Sequence, residues 1–181
     1  AAGVAVAGNY AYVADGNLFD IAKGRAEAFV SAGNSGATTA AALWHLKRVP
    51  GVLRPAIAVP IPTANGVCIL LDANANVDCK PWHLVQFAMM GALLARRVYG
   101  VAQPTVGLLS TGAEEGTGNE LTKAAYSMLA AAGVNFSGCV EGGDIPAGKT
   151  DVVVCDGFAG NVLVKTMEGT AAAMLSQLKG E

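Results

Sequence analysis

Four short polar segments hold most of the side chains in this sequence that could do chemistry: SAGNSGA (31–37), DANANVDCKP (72–81), STGAEEGTGNE (110–120) and DGFAGN (156–161). They are rich in asparagine (Asn34, Asn74, Asn76, Asn119, Asn161), with Lys80, Lys123 and Lys165 in or near them. Asparagine offers neutral donors and lysine a compact positive charge. With the backbone N–H groups of a glycine turn, such a set can hold a phosphate and a developing oxyanion without a covalent intermediate. A second reading stands beside this one: Asn and Asp are good helix N-caps. It is the stronger reading for Asn161, and the two are balanced for Asn34, Lys80 and Asn119.

Other chemistries find less support. There is no Walker A segment, no GxSxG elbow, no HExxH and no GxGxxG. His45 sits mid-helix beside Lys47 and Arg48 and reads as part of a solvated face. His83 follows Lys80 by three residues in the first turn of a helix, where it could touch substrate or could cap and pack. Cys79 lies in a loop with no evident base, so a nucleophilic role has little to rest on. Asp72, Asp78, Glu114 and Glu115 form no convincing ligand set, so no metal and no cofactor is expected.

The elements that must position these loops are strands and helices in alternation. Glu27–Ala32, Val67–Leu71, Thr105–Leu109, Val134–Val140 and Asp151–Cys155 read as strands, and Pro55–Val59 as a short extended run that Pro60 and Pro62 keep from being helical. Ala37–Arg48, Pro81 to about Tyr99, Asn119 to about Ala132, and the stretch from Asn161 to about Leu178 read as helices, with Gly133 placed as a C-cap. The strands are continuous apolar runs rather than alternating ones, as in a parallel sheet covered on both faces. The class is therefore α/β, a doubly wound and mainly parallel sheet with helices on both faces. In such a sheet the four polar loops lie together at the carboxyl edge. There the following helices point N–H groups and partial positive charge at them, making an anion-binding floor. Residues 1–26 carry less information; the alternation Val4, Val6 and Tyr10, Tyr12 around Gly8-Asn9 suggests a small hairpin. No internal repeat or linker breaks the chain, which reads as one domain with a distinct 1–26 segment and an α/β region over 27–181.

Composition narrows the setting. The 181 residues are 52% apolar and only 14% charged, with a net charge of −2. Disorder is excluded, and without a Lys/Arg run so is sequence-independent nucleic-acid binding. The longest near-apolar run, Leu84–Ala95, is too short to span a bilayer. The start has no basic n-region and does not read as a secretory signal, and without an initiator Met the expectation is a fragment or a processed product. Cys68, Cys79, Cys139 and Cys155 form no CxxC pair and read as reduced thiols of a cytoplasmic protein. The helix Leu84–Val98 is apolar nearly all round, so the sheet plus another helix or subunit must cover it. The last helix shows a stripe of Val164, Met167, Ala171, Met174, Leu175 and Leu178.

The segments SAGNSGA, LDANANVDCKP, VGLLSTGAEEGTGNELTKAAY, NFSGCVEGGDIP and DVVVCDGFAGNVLVKTMEGTA resemble, in order from Glu27 to Lys179, the bacterial phosphate acyltransferases of phospholipid synthesis. The resemblance implies an isocitrate/isopropylmalate dehydrogenase-like and phosphotransacetylase-like fold. It implies transfer of a fatty-acyl group from acyl carrier protein to inorganic phosphate, giving acyl phosphate. On that reading Gly33, Asn34, Ser35, Gly36 and Lys80 hold phosphate, Asn119 and Asn76 donate to the carbonyl, His83 protonates the leaving thiolate, and Asn161 lies in the binding site. The implied partners are acyl carrier protein and a second copy in a homodimer. The densest basic cluster, Lys47, Arg48 and Arg54, is where an acidic carrier would dock, although cations at a helix C-terminus can also merely complement its dipole. Apolar surface on the last helix adds an expectation of peripheral membrane contact, and the cysteines one of a cytoplasmic setting.

Three departures from the family pattern stand out. Residues 1–26 do not match the family's opening Asp-Ala-Met-Gly-Gly-Asp loop. The family continues past the last helix to a His-Gly-Ser segment. Asn74 stands where the family usually has glycine, which requires a left-handed or solvent-facing position. Two rival readings remain: an acyl-CoA phosphotransacetylase or dehydrogenase on the same fold, and a shortened domain that only binds anions.

Overall fold

The computed structural model describes residues 4–7, 10–13, 23–25, 27–30 and 35–180. The chain divides into two compact units, 1–55 and 56–181. In the first, β1 (Val4–Ala7) and β2 (Tyr10–Val13) pair antiparallel, as the alternation around Gly8-Asn9 leads one to expect, and β3 (Ala28–Val30) runs parallel to β2. Helix α1 (Ser35–His45) begins two residues before the sequence reading placed it and has no fully buried residue. Lys47 then adopts a positive φ of 63°, and the Arg48 guanidinium donates to the Leu53 carbonyl, closing the turn that follows.

The second unit is built on a five-stranded sheet. Its strands are β4 (Val59–Thr63), β5 (Gly66–Leu71), β6 (Thr105–Leu109), β7 (Asn135–Val140) and β8 (Val152–Val154), in the order β4-β5-β8-β6-β7. The last four are parallel and β4 is antiparallel to β5. The strand at β4 starts where the expected extended run ends. Prolines 60 and 62 lack N–H groups, and β4 tolerates them because it lies at the sheet edge, where that face of the ladder has no partner.

Helices cover both faces. Along each strand alternate residues point to opposite sides. Ile69, Leu71, Val106, Leu108, Val152 and Val154 meet Leu84, Phe87, Ala88, Ala92 and Ala95 of α2 (Pro81–Tyr99) and Ala125 and Leu129 of α3 (Glu120–Ala130). On the other side Cys68, Leu70, Val153 and Val140 meet Ile145 of the short helix α4 (Asp144–Ala147) and Ala159, Leu163, Val164 and Met167 of α5 (Gly157–Lys179). The nearly all-apolar α2 is thus covered by the sheet and flanked by α3, with Met89 and Leu93 left at the surface. Helix α3 stops at Ala130 with Ala131 as C-cap, and Gly133 takes its positive φ two residues later. Beyond Met167, α5 is exposed almost all round: Met174, Leu175 and Leu178 are 61%, 58% and 84% accessible.

Candidate active site

Strands β8 and β6 are neighbours, yet β8 sends its helix to one face of the sheet and β6 to the other. Where successive helices part in this way a crevice opens at the carboxyl edge, the usual ligand position in open α/β sheets. A cleft of about 540 Å³ lies there, between the starts of α3 and α5. Its polar end is formed by Ser110, Thr111, Gly118, Asn119 and Thr122 with Asp156, the residue before α5. The rest is walled by Leu84, Leu109, Leu121 and Cys155 and by the α5 residues Phe158, Ala159, Val162, Leu163 and Thr166.

The polar end is held by its own hydrogen bonds. The Ser110 N–H donates to the Val140 carbonyl at 2.9 Å, and the Ser110 and Thr117 hydroxyls meet at 2.8 Å. The Thr117 hydroxyl lies 2.7 and 2.8 Å from the carbonyls of Gly112 and Glu114, gathering the loop around one side chain. Asn119 is the N-cap of α3: its Oδ1 accepts from the Thr122 N–H at 2.9 Å and the Thr122 hydroxyl at 3.0 Å. Capping and ligand binding are therefore not alternatives at Asn119. With Oδ1 committed to the helix, Nδ2 is left as a donor beside the cleft, next to the positive end of α3. On α5 the N-cap is Asp156, whose Oδ1 accepts from the Ala159 N–H at 2.8 Å.

The loop after β5 behaves differently. Asp72 is wholly buried, and its carboxylate accepts from the N–H groups of Ile57, Asn74, Ala75 and Asn76 and from the Asn76 side chain. The start of α5 lies directly against it. A Cβ on Gly160 would stand 1.9 Å from the Asp72 carbonyl oxygen, and one on Gly157 would stand 2.9 Å from the Asn76 backbone and the Asp72 carboxylate. The Gly157 N–H donates to the Asn76 carbonyl at 2.7 Å.

This arrangement corrects several expectations. Asn76 is buried outside the cleft lining, and its Nδ2 donates to Asp72 at 2.8 Å. His83 is also buried and caps α2, with its Nδ1 accepting from the Lys80 N–H at 3.0 Å; it does not line the cleft. Lys80 is the exposed N-cap residue of α2, at the end of the sealed loop and outside the cleft lining. Asn161 lies inside α5, because that helix, capped by Asp156, begins at Gly157, four residues before the expected position. Gly33 and Asn34 lie outside the described residues, while Ser35 and Gly36 open α1. The 31–37 loop follows β3, a strand of the three-stranded sheet, so only three of the four polar loops belong to the five-stranded sheet. Asn74, by contrast, meets the condition that the sequence set for it: it is exposed and carries a φ of 145°.

The cysteines offer no nucleophile here. Burial, then the charges of Asp156, Asp72 and Cys79, pushes the Cys155 thiol far up, and its Sγ faces the Asp72 carbonyl at 3.5 Å. Burial likewise raises Cys68 to about 11. Cys79 is half-buried, with its Sγ 3.4 Å from the Asn76 carbonyl. Among the described residues no His, Cys, Asp and Glu side chains group as metal ligands do. Sequence reasoning overlooked Thr111, Phe158, Val162 and Thr166. The signal for the last three was the i, i+4, i+8 spacing on one helix face.

A family model described as "Fatty acid synthesis protein" matches residues 17–181. The chain belongs to that family. Its relatives in the family include proteins named phosphate acyltransferase from Elusimicrobium minutum, 58% identical over 89% of this chain and 47% of its own length, and from Geobacter sulfurreducens, 54% identical over 90% and 47%. The chain thus spans about half the length of the curated relatives it matches. Among solved structures, a phosphotransacetylase from Streptococcus pyogenes superposes with a TM-score of 0.63 at 16% identity, over 84% of this chain and 53% of that one. The EutD phosphotransacetylase of Staphylococcus aureus superposes with a TM-score of 0.60 at 19% identity, over 89% and 54%. At such identities the likeness speaks for the fold, a phosphotransacetylase-like α/β arrangement.

Proposed function

We propose that the chain transfers a fatty-acyl group from acyl carrier protein to inorganic phosphate, producing acyl phosphate for phospholipid synthesis. The observation that carries this reading is a cleft with two chemistries: a polar end at a helix N-terminus and an apolar length leading away from it. The names of the family relatives point the same way. In the reaction a phosphate oxygen attacks the thioester carbonyl carbon. A C–O bond forms, the C–S bond breaks, and the thiolate leaves and takes up a proton. Phosphate is itself the nucleophile, so the protein need only orient, desolvate and stabilise. Asn119 Nδ2 and the free N–H groups of the first turn of α3 supply donors to the developing oxyanion. Lys80, the exposed N-cap residue of α2, remains a proposed phosphate ligand.

The same reading makes the chain an enzyme of the cytoplasm. It works as a homodimer that docks the acidic carrier at Lys47, Arg48 and Arg54 and touches the membrane surface peripherally. Support for association comes from the exposed Met174, Leu175 and Leu178 of α5. No helix among the described residues is long and apolar enough to cross a membrane.

The test is phosphate-dependent release of carrier thiol, with acyl phosphate trapped as the hydroxamate. Release that needs both phosphate and carrier protein is expected, and it should fall at least tenfold in Asn119→Ala. Equal turnover of acyl-CoA would assign the donor to coenzyme A instead. Phosphate protection against melting without any thiol release would leave an anion-binding domain.

A further inference from the structure

We propose that one face of α5, formed by Phe158, Val162 and Thr166, measures the length of the acyl chain. The inference rests on the acyl-transfer reading for the identity of the occupant and adds where the chain lies and what limits it. All three residues line the cleft, spaced four apart, so they form a single row along the helix. The row starts one turn from the polar end, two residues after the N-cap Asp156, and runs for eight residues, about 12 Å. An acyl group whose carbonyl sits at Asn119 can extend along this apolar surface, past Phe158 and Val162 toward Thr166. The opposite wall is Leu84, Leu109 and Leu121.

Thr166 is less polar than its name. Its hydroxyl donates to the Val162 carbonyl at 2.7 Å, so the group left for a ligand is its methyl. The lining is thus apolar from Phe158 to the far end, with no hydrogen-bonding group that would stop a chain partway. Chain length is then set by where the row ends and by how bulky its members are. Val162 is half exposed and Thr166 is exposed, so either position can take a larger side chain without disturbing the core.

The experiment measures displacement of an environment-sensitive fluorescent fatty acid from the chain by straight-chain carboxylates of increasing length. For the unaltered protein, affinity should rise about fourfold per methylene until the row is filled and then level off. Val162→Trp should move that plateau to markedly shorter chains, and Thr166→Trp should move it less, because it blocks the row one turn farther from the polar end. Chains too short to reach the new side chain should bind as before. Failure of the fluorescent fatty acid to bind the unaltered protein overturns the inference, as does a plateau that stays put in both variants or shifts more in Thr166→Trp. Thiol release is scored separately. Phosphate-dependent transfer with an unmoved plateau removes the ruler and keeps the reaction, whereas a moved plateau without transfer keeps the ruler and removes the reaction.

Discussion

The loop after β5 and the loop after β6 are made of the same residue types, lie at the carboxyl edge of the same sheet and each lead into a helix. One is sealed and the other lines a cleft. After β5, Asp72 gathers four backbone N–H groups and the Asn76 amide, and α5 lies on top of it through Gly157 and Gly160. After β6, the loop closes on the Thr117 hydroxyl, and Asn119 turns its oxygen to α3 while its amide nitrogen stays beside the cleft. An asparagine in a polar loop is thus a structural group or a ligand group according to what covers it. Burial commits every polar atom to a partner, because an unpaired one costs about 1–3 kcal/mol.

The sharpest way to break this comparison is Gly160→Ala. Its Cβ would meet a backbone oxygen at 1.9 Å, and backbone cannot swing aside as a side chain does. A loss of at least about 3 kcal/mol is expected in urea unfolding. A variant as stable as the parent would mean that α5 does not bear on the Asp72 loop.

Alkaline pH should act on the ground beneath the sealed loop. The Cys68 thiol is raised from 9.0 to about 11, so above pH 9 the unfolded chain gives up a proton that the folded chain keeps. Its contribution is complete below pH 9 and is lost as pH rises through 11, by roughly 3 kcal/mol in all. Urea midpoints at pH 8, 9.5 and 11 should fall in step, and in Cys68→Ala that fall should be shallower. An identical slope in both would assign the alkaline loss elsewhere.

The two asparagines separate the two loops directly. Asn76→Ala removes a buried hydrogen bond to a carboxylate and should cost about 2 kcal/mol while leaving phosphate-dependent thiol release intact. Asn119→Ala should cost only about 1 kcal/mol, the worth of a cap, yet cut that release at least tenfold. Thermal melts and thiol release read the two effects separately, and the reverse pattern would exchange the roles assigned here.

The smallest effect is expected at Asn74, exposed in the sealed loop with a φ of 145°, a region that favours glycine. Asn74→Gly should gain about 1 kcal/mol in unfolding, relief of backbone strain outweighing the freedom that glycine adds to the unfolded chain. A loss would mean that the Asn74 side chain contributes more than its backbone conformation costs.

Much of this molecule was already determined by local pattern. Continuous apolar strands such as Val67–Leu71 and Val152–Val154, separated by amphipathic or apolar helices, dictate a covered parallel sheet wherever they occur, since every alternate residue then needs a cover on each side. Pro81 marked the start of α2 and Gly100 its end, because a missing N–H and a left-handed residue act within one turn of chain. The carboxyl-edge position of the loops after β5, β6 and β8 followed from the alternation alone.

What the sequence could not decide is what lies over each loop. Nothing local tells Asn76 from Asn119, for each stands in a polar stretch a few residues ahead of a helix. The difference arises from residues far away in the chain: Gly157 and Gly160 let α5 close over the Asp72–Asn76 turn, while β8, inserted between β5 and β6, parts α3 from α5 and opens the cleft. Strand order is a tertiary property, set by which faces the helices can cover together. It is this order that divided loops of one chemistry into a structural turn and a binding site.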